Sequence, residues 1–153
     1  MSEVFILAHA PTSVQRLEDF AKFVFNFGDP LKALIITKPS GVAAQVGVPD
    51  VFKMAYKLDK NVLVLPDIDD AIELMKPDTV YTITYDYGSE SEISLDGRVM
   101  LVVGLTDPGL TKQEAQKGIA IRPRGVNGDV GPLGSLALVL AHSTMKCGGG
   151  PVG

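Results

Sequence analysis

Five glycines in the last third of the chain, Gly104, Gly109, Gly125, Gly131 and Gly134, stand just past apolar runs or just before an apolar helical pattern. Glycine lets the main chain come close to a ligand and present its N–H and C=O groups. Leu105, Ile121, Val126 and Leu133 are interleaved with these glycines. Apolar walls with backbone donors suit a flat heterocycle such as adenine. The alternative is a set of tight turns in a compact sheet.

Other reactive side chains are sparse. Arg16 falls in the first turn of a predicted helix, where an arginine can hold a phosphate or a carboxylate; the alternative is a solvated helix arginine. His9 ends a predicted strand, at the edge where open α/β sheets bind ligands. It is expected to be a partly buried ring satisfied by a backbone group. His142 is expected to pack or to meet a second copy. Asp67, Asp69, Asp70, Glu73 and Lys76 resemble the carboxylates and lysine of a metal-dependent nuclease. Acidic residues at a helix start also complement the helix dipole, and that is the reading preferred for them. The sequence contains no GK[ST] phosphate loop, no GxSxG elbow and no HExxH motif. With His9, His142 and Cys147 as the soft ligands, neither a structural metal nor a disulfide framework is expected.

The elements that must position these residues alternate. Apolar runs predict strands at Val4–His9, Leu31–Thr37, Asn61–Leu65, Asp78–Thr84, Val99–Val103 and Gly118–Ile121. Thr12 with Gln15 has capping-box spacing, and Leu17, Phe20, Ala21, Val24 and Phe27 keep the helical period up to Gly28. Ser40 caps a predicted short helix over Val42–Val46, and Pro49 opens another over Val51–Leu58. Further helices are predicted at Asp67–Met75, Thr111–Lys117 and Leu136–Met145. The acidic segment Asp86–Gly97 reads as an inserted loop or short ribbon. Strands this apolar need both faces covered, so the fold class is α/β, a mostly parallel sheet with helices on both faces.

The chain has 153 residues, 46% hydrophobic and 21% charged, with a net charge of −4. Residues 1–146 are expected to form one domain, with 147–153 a flexible Gly-rich tail. FILAHA is too short to span a bilayer and lacks a basic leader, so no membrane association and a cytoplasmic location are expected. The acidic balance argues mildly against extended nucleic-acid binding. The densest basic groups are Arg122 with Arg124, and Lys53 with Lys57 and Lys60.

Three segments carry a family resemblance. LVVGLTDPGLT (Leu101–Thr111) is similar to the strand and Gly-rich turn of the SPOUT superfamily, the α/β-knot methyltransferases typified by SpoU RNA 2′-O-ribose methyltransferases. IRPRG (Ile121–Gly125) resembles that family's I-P-x-x-G loop, and PLGSLALVLAH (Pro132–His142) the opening of its last helix. Upstream, FAKFVFNFGDPLKALIIT (Phe20–Thr37) looks like its first helix and second strand. The archaeal-type branch of this look also carries the label RecB-family nuclease.

The resemblance implies a C-terminal trefoil knot, a homodimer and an S-adenosylmethionine site. By position the cofactor contacts fall on Thr82 (or Thr84), Gly104, Leu105, Ile121, Pro123, Leu133 and Gly134. The catalytic arginine of the family's N-x-G-x-x-x-R motif corresponds to Lys22, with Arg16 and Glu18 at the Asn and Gly positions. Arg16 or Lys22 is therefore expected to position an RNA acceptor. Thr106 stands where the family has glutamate, and Gly134 where it has asparagine. The implied activity is S-adenosylmethionine-dependent RNA methylation, of the ribose 2′-O type. The altered positions leave a non-catalytic nucleoside- or S-adenosylmethionine-binding protein as the alternative, and a metal-dependent nuclease as a third reading.

Overall fold

The computed structural model describes residues 2–147, with side-chain surroundings given through Ser143. Six parallel strands form one sheet in the order β3-β2-β1-β5-β4-β6. In chain order they are β1 Ser2–His9, β2 Leu31–Thr37, β3 Val62–Leu65, β4 Thr79–Ile83, β5 Gly97–Gly104 and β6 Ile119–Ile121. The helices are α1 Val14–Phe27, α2 Val48–Leu58, α3 Ile68–Met75, α4 Lys112–Ala115 and α5 Gly131–Cys147.

The two central strands, β1 and β5, are apolar on both sides because both sides are covered. Val4, Ile6 and Ala8 join Leu101 and Val103 in a core under α1, α2 and α5. Phe5 and Leu7 join Met100 and Val102 in a second core under α3 and the β5–α4 loop, which contributes Leu110. From β1 the chain builds outward to β2 and β3, and from β5 it crosses over β4 to β6. The winding direction therefore changes between β1 and β5, and a crevice is expected where their carboxyl ends diverge.

Local chemistry sets the boundaries. Ser13 rather than Thr12 caps α1, its hydroxyl accepting from the Arg16 N–H. The two short helices expected over 42–58 are one helical run that starts at Gly41. A π-helical stretch, Ala43–Gly47, replaces the expected break. Pro49 has no N–H to donate and its ring crowds the carbonyl four residues back. The wider π turn accommodates it without ending the helix. The last helix also starts earlier than its apolar pattern, at Gly131, where the Asp129 carboxylate accepts the Gly131 N–H at 2.9 Å. Residues 84–96 are irregular, with a single parallel bridge from Ser89 to Ile121. Of the tail expected over 147–153, Cys147 ends α5, and residues 148–153 lie outside the described residues. Among the described residues no helix is long and apolar enough to cross a membrane.

Candidate functional site

The crevice lies where His9 ends β1 and Gly104, its register partner, ends β5. The loop after β5 starts by folding back on β1, with the Leu105 N–H donating to the His9 carbonyl at 2.9 Å. A Cβ on Gly104 would lie 2.8 Å from both Gly109 C and Leu110 N. Only glycine lets the loop close on the strand end this tightly. Leu110 anchors the loop in the second core, and Thr111 then caps α4.

Below the loop, His9 is buried and both ring nitrogens are held by side chains, not by the backbone group expected from sequence. Nε2 lies 2.9 Å from Glu114 Oε2, and Nδ1 lies 2.8 Å from Thr37 Oγ1. A carboxylate at Nε2 calls for the proton there, so in the neutral ring Nδ1 accepts from the Thr37 hydroxyl. Glu114 Oε1 accepts the Thr111 N–H at 2.9 Å, completing a capping box. One carboxylate thus ties the end of the β5–α4 loop to β1 and, through His9, to β2.

A narrow slot of about 30 Å³ opens beside Gly104. Ile83 at the end of β4, Thr84 and Tyr85 after it, Thr106 and Asp107 after β5, and Ser135 near the start of α5 are among the residues that line it. The volume is far below the roughly 300–1,000 Å³ of a preformed small-molecule pocket. A ligand must therefore open the slot by moving the loops around it.

Arg16 reaches the slot's rim from the first turn of α1. Its Nη1 and Nη2 donate to the two carboxylate oxygens of Asp107 at 3.2 and 3.3 Å. The side chains are 43% and 85% exposed, so the pair adds little stability but holds the guanidinium in place. Lys22 is exposed on another part of α1. It lines an open trough with Phe23, Phe27 and Leu133, apart from the slot.

The other residues singled out in the sequence are spread around this edge. Ile121 and Pro123 line a neighbouring cavity of about 330 Å³, together with Arg122, Arg124 and His142. Leu105 is buried in the first core. Thr82 is fully buried and its hydroxyl donates to the Ala115 carbonyl at 2.7 Å, so Thr84, just past β4, is the threonine that meets the slot. Gly134 sits in the first turn of α5, where a Cβ would meet the Val130 side chain at 3.3 Å. Tyr85, Asp129 and Ser135 were missed. Asp129 carries the one local signal that could have found it, an acidic residue just ahead of a Gly-Pro helix start.

Two of the acidic residues near α3 have structural partners. Asp67 caps the helix and Asp69 pairs with Lys117 at 2.7 Å. Among the described residues no three His, Cys, Asp or Glu side chains converge to hold a metal. The hydrogen bond to Asp69, with its charge, raises the Lys117 ammonium above the ordinary lysine value of 10.5, against a smaller effect of burial. A raised pKa stabilises the fold below the ordinary value, and the gain is lost as pH rises through the folded-state pKa. In Asp69→Asn the Lys117 pKa should fall back toward the ordinary value in an NMR titration. Stability at neutral pH should change by less than about 1 kcal/mol, because the pair is partly exposed.

A family model described as RecB-family nuclease (DUF2122) matches residues 41–142. A protein of Aeropyrum pernix, named a candidate type II restriction enzyme, is 38% identical over 143 residues, 90% of each chain. A Methanocaldococcus jannaschii protein with the same kind of name is 34% identical over 149 residues, 95% of this chain and 99% of its own. The solved structures it resembles are of another description. The SpoU methyltransferase AviRb of Streptomyces viridochromogenes, in complex with AdoMet, superposes with a TM-score of 0.74 at 11% identity, over 97% of this chain and 59% of that one. A structure described by 2-OH methylation of C/U34 on tRNA gives 0.72 at 11% identity, over 97% and 99%. At such identities the likeness shows the fold, which is the α/β architecture of the SPOUT methyltransferases.

Proposed function

The chain belongs to the family described as RecB-family nuclease (DUF2122), and against that description we propose that it is an S-adenosylmethionine-dependent RNA methyltransferase, of the ribose 2′-O type. One observation carries the proposal. At the crevice between β1 and β5, a loop closes on Gly104 with no room for a Cβ, and Arg16 is held at the rim of the same slot. The fold likeness to SpoU methyltransferases, some with AdoMet bound, supports the choice of cofactor.

S-adenosylmethionine, when bound, supplies an electrophilic methyl group. Once opened, the loops beside Gly104 would suit an adenosine: backbone groups line the slot, and Ile83, Val103 and Leu110 supply apolar surface. Arg16 orients the acceptor. A substrate phosphate competes with Asp107 for the guanidinium, and the exposure of the pair makes that exchange inexpensive. The trough between α1 and α5 is assigned to the contact of a homodimer, and Lys22 on its rim to the acceptor or a phosphate held by the neighbouring subunit. The same fold likeness supports a trefoil knot formed by the C-terminal segment.

Isothermal titration calorimetry with S-adenosylmethionine is the first test. Binding in the micromolar range is expected, with methyl transfer to RNA read from tritiated cofactor. Absence of heat at millimolar cofactor overturns the proposal. Binding without transfer to any cellular RNA would favour the non-catalytic reading suggested by Thr106 and Gly134. The nuclease reading has the family description and the named relatives on its side. It would replace ours if the chain cut nucleic acid with magnesium or manganese and lost that activity in Asp69→Ala.

A further inference from the structure

Tyr56 on α2 is 89% exposed, and Phe52, one turn before it, is also exposed. Both rings border an open groove of about 550 Å³ between α2 and the starts of β2 and β3. Lys32 and Lys60 stand on the groove's rim, above an apolar floor that includes Phe5 and Leu63. The groove lies at the amino ends of the strands, opposite the end that carries His9 and Gly104, so the slot does not use it.

The lysines are patterned. Lys53, Tyr56 and Lys57 follow the spacing i, i+3, i+4 on α2, Lys60 lies two residues past the helix end, and all four are exposed. Such spacing sets side chains next to one another along a helix surface. Lys53, Lys57 and Lys60 form no ion pair among the described residues. Asp59 is the one carboxylate between Lys53 and Lys60 in sequence. In a chain of net charge −4, this is a local concentration of positive charge around an unpartnered aromatic ring.

We propose that this face of α2 binds single-stranded RNA. Tyr56 stacks on a base, Phe52 closes the groove beside it, and Lys53, Lys57 and Lys60 meet the phosphates. Alternating rings and cations match the alternating bases and phosphates of a single strand. An acidic protein surface would use the lysines but would have no need of a ring this exposed. The choice of RNA over another nucleic acid rests on the methyltransferase reading.

The test uses the full chain and a fluorescein-labelled oligouridylate, with affinity read by fluorescence anisotropy across a range of salt. Tyr56→Ala should weaken binding about tenfold. Replacing Lys53, Lys57 and Lys60 together by alanine should flatten the slope of log affinity against log salt by about 2, from about 0.7 per lost phosphate contact. Cofactor titrations should be unchanged in every variant. Wild-type affinity in these variants, or no RNA binding at low salt by a chain that binds S-adenosylmethionine, overturns the RNA surface and leaves the methyltransferase reading intact. RNA binding lost in the variants of a chain that ignores the cofactor supports the surface and sinks the other reading. A change of mass in light scattering for Tyr56→Ala, with RNA affinity kept, shows that a second copy covers the face and also overturns the proposal.

Discussion

Replacing Gly104 with valine should abolish detectable S-adenosylmethionine binding while leaving a folded protein. The new Cβ would meet the Gly109 carbonyl carbon and the Leu110 nitrogen at 2.8 Å, and both are backbone. Backbone cannot swing aside as a long side chain can, so the 105–110 segment must lift from the strand end. Overpacking of this kind costs about 1–3 kcal/mol. For a chain of this size that lowers Tm by about 2–12 °C. The effect on binding should be larger, because the lifted segment forms one wall of the slot. We expect at least a hundredfold loss of affinity, equivalent to about 2.8 kcal/mol. Gly128→Ala is the control, since nothing lies within 4 Å of its Cβ, and its affinity should match wild type. Gly134→Val tests the neighbouring wall: its Cβ meets only a valine side chain, so folding should tolerate it. Unchanged affinity in Gly104→Val would show that the slot is not the cofactor site. Unchanged affinity in Gly134→Val alone would remove that residue from it.

Gly104 also marks how far the site can be read from sequence. Its place after an apolar run identified a close backbone approach, and the structure shows what approaches. The strands were legible because a parallel strand covered on both faces must be apolar throughout, as Val4–Ala8 and Val99–Val103 are. The π-helical turn before Pro49 was not. Proline normally signals a helix start or break, and a widened turn that carries the helix past it has no local signature. Arg16 was singled out from its place in the first turn, but its partner Asp107 is 91 residues away and no spacing rule connects them. Alternation along a strand would put Thr82 and Thr84 on the same face, so it cannot choose between them. Deciding which meets the slot required knowing that Ala115 of α4 takes the Thr82 hydroxyl and that β4 ends before Thr84.

The His9 link was the least visible part, because its three members come from three distant segments. Glu114→Ala should therefore be the most destabilising polar substitution at this edge. Two losses add. The capping box at Thr111 disappears, at a cost of about 1 kcal/mol. The His9 Nε2–H, in a ring only 2% exposed, is left without its acceptor, at about 1–3 kcal/mol. Together they predict about 2–4 kcal/mol and a fall in Tm of about 4–16 °C, read by thermal or urea denaturation. Glu114→Gln keeps an oxygen for one of the two donors and should lose about half as much. His9→Phe in the Glu114→Ala background, with Thr37→Val in every arm so that no buried hydroxyl is stranded, should recover part of the loss, because removing both polar partners costs less than stranding one. That recovery separates a specific His9–Glu114 interaction from a general weakening of α4, since a merely propensity-driven effect would leave the two substitutions additive. Cofactor affinity should fall in Glu114→Ala as well, because the same carboxylate fixes the far end of the loop that closes on Gly104. A loss of stability below 1 kcal/mol, or strict additivity in the double-mutant cycle, would mean that the loop is held by Leu110 and its packing alone.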